Sequence, residues 1–252
     1  MTRRASQIIR IADPQAIVVC PSMGQLWEPQ AQQKLQHFAE LGGYQYCDVA
    51  GIKLYPRSVS DPPESMLELV STIDKTLHRS GAHPPLWNTG TTYNVTLEKP
   101  LDDEQASTYA VRFSLTGLYA HDLNVQRMYF YSWGSSARVP VVLQAEGGAP
   151  TQAALDVEQL QNWLDHALIR SRGHGPAIQL PAHVWQCTFT IATPNDPPHT
   201  AVIRWTDHGT AATAAGPRAV AVRHLDGTTQ DTNATATVTV SERPVLITYQ
   251  EN

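Results

Sequence analysis

The fold class is indicated by the stretch YCDVAGIKLY, residues 46–55, a largely apolar run closed by Pro56. Such a run is typical of a strand that is buried on both faces of a sheet. Three similar runs predict further strands: AIVVC at 16–20, PPLWNT at 84–89 and QRMYFYSW at 126–133. Apolar residues at helical spacing predict helices at about 31–41, 63–79, 102–121 and 155–168. Strands that alternate with helices in this way predict βα units and a parallel sheet.

The number of predicted strands limits how this sheet can close. A doubly wound sheet and a barrel both fit alternating strands and helices. A barrel of eight strands takes about 250 residues, and residues 1–172 supply only about half of that pattern. Four strands therefore do not close a barrel.

The composition changes after Gly173. Short alternating runs rich in Val, Thr and Ile, divided by Gly, Pro and Asp turns, follow at 185–191, 201–206, 219–224, 236–240 and 244–249. This pattern predicts an antiparallel β domain. Glycine and proline cluster between Arg172 and Pro181, so we predict two domains, 1–172 and 173–252.

Composition and charge exclude several classes of protein. The net charge of -5 offers no basic stripe for phosphate groups, so no nucleic-acid partner is expected. No apolar run reaches the roughly 18 residues that a membrane span requires, and none near Met1 fits a signal peptide. The ten histidines show no metal-ligand spacing, and no glycine-rich phosphate loop follows a strand. We therefore expect neither a metal nor a cofactor.

The three cysteines, Cys20, Cys47 and Cys187, lie far apart in apolar runs. An odd number cannot pair completely within one chain. We therefore expect buried free thiols.

The order of these segments resembles strands five to eight of clan A glycoside hydrolases, and most closely the β-xylosidase and iduronidase-like group. Pro150-Thr151 and the later Trp163-Leu164 resemble the final barrel helix of that group. The resemblance implies an α/β fold: a partial (β/α)8 (TIM) barrel made of strands five to eight, followed by a small antiparallel β-sandwich-like domain. Relatives in this group are often secreted.

The departures from the family pattern concern catalysis. Strand six of the family commonly ends in His-x-Tyr, and strand seven in Trp-x-Thr-Glu with Glu as the nucleophile. Here Gly90 follows Trp87-Asn88-Thr89, and Lys53 stands where the histidine is expected. The resemblance places the acid/base, an Asn-Glu pair on strand four, before residue 1. No catalytic residue is therefore certain.

Two loop carboxylates are weak candidates for a substitute. Glu28 follows the first predicted strand and Glu146 follows the last, so both lie in βα loops on the catalytic side of such a barrel. A glutamate in a loop is more often simply solvated.

Aromatic residues at the predicted strand ends are better candidates for a binding role. Flat aromatic faces suit the apolar face of a pyranose ring, although packing in a barrel core explains them as well. With Lys53, the predicted substrate-binding residues are Tyr55, Tyr93, Tyr131 and Trp133.

Three functions follow from the resemblance, and carbohydrate is the partner in each. The first is an incomplete and inactive glycoside hydrolase. The second is a noncatalytic carbohydrate-binding relative, and the third is a glycosidase with a different residue set. Open sheet edges at residues 16–20 and 126–132 also predict self-association.

Overall fold

The computed structural model describes residues 1–58, 61–90, 101–130, 141–194 and 197–250. The chain has a mixed α/β architecture that divides into two compact units. Unit 1 contains Met1–Pro100 and Thr116–Pro140, and unit 2 contains Leu101–Leu115 and Val141–Asn252. The sheets of the described residues do not form a closed barrel.

The described α-helices are α1 (Thr2–Ala12), α2 (Pro29–Glu40), α3 (Met66–Arg79), α4 (Asp103–Tyr119) and α5 (Gln152–Trp163). The last four lie within a few residues of the helices that apolar spacing predicts, whereas α1 was not predicted. Helix α2 begins with Pro29 at its first position and is followed by Gly42 at φ 70°, the usual signals for a helix start and stop. None of these helices is both long and apolar enough to cross a membrane.

Unit 1 contains a three-stranded parallel sheet. Its strands are β1 (Ala50–Ile52), β2 (Leu86–Asn88) and β3 (Val125–Met128), in the order β1-β2-β3. The parallel pairing predicted for these segments is confirmed. Leu86 and Asn88 are buried while Trp87 between them is half-buried, so the two faces of β2 differ in exposure.

The regular strand predicted at 16–20 is wrong. This segment makes only isolated parallel bridges, Val19 to Val49 and, further on, Met23 to Ile52. The Asp48 carboxylate accepts a 2.8 Å hydrogen bond from the backbone amide of Val18 and also binds Arg10 at 2.7 Å. The first of these bonds, followed by the bond from Arg10, lowers the pKa of Asp48. Backbone hydrogen bonds from the Cys20 amide to the Val49 carbonyl at 2.9 Å and from the Asp48 amide to the Val18 carbonyl at 2.8 Å also join the segment to its neighbour, so the Asp48 carboxylate adds to a short backbone pairing.

The prediction of free thiols is wrong for two of the three cysteines. Cys20 and Cys47 form a disulfide with 5.4 Å between their Cα atoms. The parallel β-bridge between Val19 and Val49 brings the nearby cysteines side by side. The spacing of the cysteines in the sequence does not show this contact. Cys187 is free and buried, and burial raises its pKa to about 12.

Unit 2 contains antiparallel sheets, as its alternating sequence predicts. Its strands are β4 (Ala167–His174), β5 (Val184–Ile191), β6 (His199–Thr206), β7 (Thr210–Ala214), β8 (Ala219–His224), β9 (Thr229–Asp231), β10 (Thr237–Ser241) and β11 (Val245–Tyr249). Six form a sheet in the order β4-β5-β6-β11-β8-β9, and β10 pairs with β7. Strand β4 runs across residue 172, where we placed the domain boundary.

One buried apolar cluster in unit 2 is shared by the two sheets. Val238 and Val240 come from the two-stranded sheet, and Val222, Val245 and Ile247 come from the six-stranded sheet. Burying both inner faces together removes their apolar surface from water, which is the main stabilising contribution to such a fold.

Candidate functional site

The carboxyl ends of β1 and β2 bring Lys53 and Thr89 together. The Lys53 ammonium donates to the backbone carbonyl of Thr89 at 3.3 Å. The Thr89 hydroxyl lies 2.5 Å from the Ser22 hydroxyl and 3.2 Å from the carbonyl of Ile52. In a parallel sheet all strands end at the same edge, where open α/β folds bind their ligands. This edge therefore presents an ammonium group and two hydroxyls.

Gly90 follows directly and is buried, with φ at 112°. This conformation lies in the left-handed half of backbone space, which residues with a Cβ seldom adopt. The position expected to carry a nucleophile thus lacks a side chain and also has a backbone conformation that disfavours one.

Asn88 holds the ends of β1 and β2 together. Its Oδ1 accepts from the backbone amide of Leu54 at 3.0 Å, and its carbonyl accepts from the amide of Tyr129 at 2.9 Å. Its side chain is completely buried, and its Nδ2 has no hydrogen-bond partner among the described residues. Asn88 therefore positions the strand ends on both sides of β2.

Aromatic and cationic side chains lie beside this edge. The Arg127 guanidinium lies 4.4 Å from the centroid of the Trp87 ring, a cation–π geometry. Tyr129, 42% exposed, has its ring centroid 6.1 Å from that of Trp87, and its hydroxyl accepts from Arg127 at 3.4 Å. Sequence reasoning did not single out Arg127, because its contact with Trp87 depends on the pairing of β2 with β3.

The remaining candidates are distributed between the two units. Lys53 is half-buried at the strand ends, whereas Tyr55 is only 7% exposed. Burial is the main cause that raises the pKa of Tyr55; a backbone hydrogen bond from Gln25 opposes it and the charge of Glu28 adds to it. Glu28 therefore lies near Tyr55 in unit 1. Glu146 is exposed in unit 2.

Tyr93, Tyr131 and Trp133 lie outside the described residues, so their proposed binding role stays a prediction. Within the described part of the chain, no group of three His, Cys, Asp or Glu residues is arranged to hold a metal ion.

Solved structures share the fold of this chain. The chain matches the crystal structure of a GH39 enzyme from Xanthomonas axonopodis pv. citri at a TM-score of 0.55 and 13% identity, covering 100% of this chain and 63% of that one. The catalytic domain of the GH30 xylanase C from Talaromyces cellulolyticus gives 0.53 and 11%, covering 99% and 56%. A GH86 protein in complex with neoagarooctaose gives 0.63 and 13%, covering 98% and 45%.

These similarities relate the fold of the chain to that of glycoside hydrolases. No family model matches the chain, and no curated protein matches its sequence. The chain spans only 63%, 56% and 45% of the three structures, so what those whole proteins do does not transfer directly.

Proposed function

We propose that the chain is the C-terminal part of a clan A glycoside hydrolase-like barrel, in which β1, β2 and β3 correspond to strands six, seven and eight. The antiparallel segment from about residue 173 is its appended β-sandwich-like domain. The three parallel strands in sequence order support this assignment, because successive barrel strands pair in that way. In this proposal the strand ends bind carbohydrate and do not hydrolyse it by the usual mechanism.

The observation that carries the proposed lack of hydrolysis is Gly90. A retaining glycosidase needs two carboxyl groups about 5 Å apart, one as nucleophile and one as acid/base. Gly90 supplies no nucleophile, and the hydrogen-bond partners of Lys53 and Thr89 among the described residues are carbonyl and hydroxyl groups. Without the nucleophile at this position, the glycosyl-enzyme intermediate does not form by the usual mechanism.

We expect no hydrolysis of 4-nitrophenyl β-xyloside or β-glucoside above the uncatalysed rate. The variant Gly90→Glu should also be inactive and should lose about 1–3 kcal/mol of stability, since it places a side chain at φ 112° in a buried position. Release of 4-nitrophenol and urea unfolding measure the two effects. Gly81→Glu is the matched control. Gly81 also has a positive φ, 69°, but no atom lies within 4 Å of an added Cβ, so its loss of stability should be smaller than that of Gly90→Glu.

Turnover by the unmodified chain would contradict this proposal. If that turnover disappeared in Glu28→Gln or Glu146→Gln, a glycosidase with a different residue set would replace it. Glu28 lines one cavity together with Tyr55 and Arg57, and this placement is the observation that favours the second candidate.

The disulfide supports an oxidising compartment for this protein. Disulfides persist in secreted and periplasmic proteins and are rare in the reducing cytosol. The Cys20–Cys47 bridge therefore agrees with the secreted location that is common among the relatives of the proposed family.

We also expect the 252-residue chain to associate with itself, and we propose α1 as a contact surface in addition to the sheet edges predicted at 16–20 and 126–132. Ile8, Ile9 and Ile11 are 57%, 39% and 84% exposed, and exposed apolar surface of this kind favours association. In sedimentation velocity the unmodified chain should form dimers or larger species, and Ile8→Lys/Ile11→Lys should shift it toward monomer. The control Ala5→Lys/Gln7→Lys adds the same charge at exposed positions, so an equal shift there would contradict a role for the isoleucines.

A further inference from the structure

An open groove in unit 1 lies beside the strand ends. It consists of two adjoining cavities of about 410 and 520 Å³ that share Gln25 and Glu28 in their linings. Each volume lies within the range of small-molecule sites, about 300–1,000 Å³. A Cβ added at Gly24 would lie 3.5 Å from Cγ of Lys53, so the segment that enters the groove passes directly beside the strand-end site.

Trp27 forms part of the wall of the larger cavity. Its indole Nε1 donates to the backbone carbonyl of Tyr55 at 2.7 Å, which fixes the ring. The Arg57 guanidinium lies 4.4 Å from the centroid of that ring. Glu68 is 3.9 Å from Arg57, but the two side chains are 64% and 72% exposed, and such surface pairs contribute little. Arg57 is therefore held by the indole while its N–H groups remain accessible to a ligand.

An acceptor lies on the same cavity. Glu28 lines it together with Tyr55 and Arg57. The cavity thus joins an aromatic ring, a guanidinium donor and a carboxylate acceptor. Neighbouring hydroxyls of a sugar ring both donate and accept hydrogen bonds, and its C–H face packs on aromatic rings.

We infer that this groove is a binding subsite for sugar residues of an oligosaccharide, separate from Lys53 and Thr89 at the strand ends. The inference rests on the proposed carbohydrate-binding function and adds a position. The two adjoining cavities extend from Arg57 to Lys34, which favours a chain of sugars over a single one.

The test is an NMR titration of the full chain that observes the tryptophan indole N–H resonances, with Trp27→Phe identifying the signal of Trp27. The probes are xylohexaose, cellohexaose, neoagarohexaose and, as the acidic counterpart, hexagalacturonate. We expect at least one of these four hexamers to shift the Trp27 resonance. Arg57→Ala should weaken that binding about tenfold, the usual effect of losing a charged donor. Arg79→Ala, an exposed arginine at the end of α3, is the control and should bind like the unmodified chain.

The outcomes separate the subsite from the proposed function. If a hexamer binds and Lys53→Ala weakens its binding, but the Trp27 resonance and Arg57→Ala show no effect, the subsite is wrong and the proposed function stands. If none of the four probes binds, both proposals are contradicted.

Discussion

Replacing Asp156 with alanine should destabilise unit 2 by about 2–3 kcal/mol, because it removes a buried carboxylate that accepts from three polar groups and leaves the buried Ser107 hydroxyl without it. The Asp156 side chain on α5 has no solvent exposure. It accepts from Gln152 at 2.7 Å and from the hydroxyl of Ser107, and it forms an ion pair with Arg243 at 2.8 Å. Since these three partners are polar, apolar repacking does not compensate for the loss of the carboxylate.

This effect is measured by urea unfolding followed by circular dichroism. Asp165→Ala is the control, because Asp165 follows α5 with its side chain 72% exposed, and its substitution should change stability by less than about 0.5 kcal/mol. Asp156→Asn keeps the volume but removes the charge, so we expect an intermediate loss. A loss below about 1 kcal/mol for Asp156→Ala would show that the ion pair and its hydrogen bonds do not hold the helix in place.

Glu242, the residue before Arg243, forms a second ion pair. Arg112 on α4 is almost completely buried, binds Glu242 at 3.0 Å and donates to the carbonyl of Asp207 at 3.1 Å. Glu242 and Arg243 lie between β10 and β11. One turn of the β region thus binds both α4 and α5, which explains why Leu101–Leu115 belongs to the same compact unit as the antiparallel sheets.

The order of the elements could be predicted from the sequence because each leaves a local signal. The apolar runs that became β1, β2 and β3 and the helical spacing of α2 to α5 depend only on nearby residues. The position of Gly90 at a strand end follows from the same pattern.

Other features depend on contacts between distant segments. The pairing of Cys20 with Cys47 and the carboxylate contact of Asp48 arise because residues near 18–20 lie beside residues near 48–49. The stacking of Arg57 on Trp27 joins loops 30 positions apart, and no motif marks it. Helix α1 was not predicted because it buries Ser6 and leaves its isoleucines exposed, so it has no buried apolar face of the kind that indicates a helix.

Removing the disulfide is the other change with a large expected effect. The bridge joins residues 27 positions apart, and closing a loop of this length stabilises the folded state by about 3.5 kcal/mol in the chain-entropy description. Cys20→Ser/Cys47→Ser should therefore lose about 3–4 kcal/mol in urea unfolding without reductant. Because the bridge lies beside the segment that enters the candidate site, the variant should also unfold locally there first.

Counting the alkylated thiols tests the cysteine pairing directly. Alkylation of the unfolded, unreduced chain should modify one thiol, that of Cys187, and alkylation after reduction should modify three. In the folded chain Cys187 should react slowly, since it is buried and its pKa is raised to about 12, so little thiolate forms near neutral pH. Three reactive thiols without reductant would contradict the bridge and, with it, the argument for an oxidising compartment. Alternatively, one thiol is alkylated in the unmodified chain but the double variant keeps its free energy of unfolding. The contacts of Asp48 then already hold residues 18 and 48 together without the disulfide.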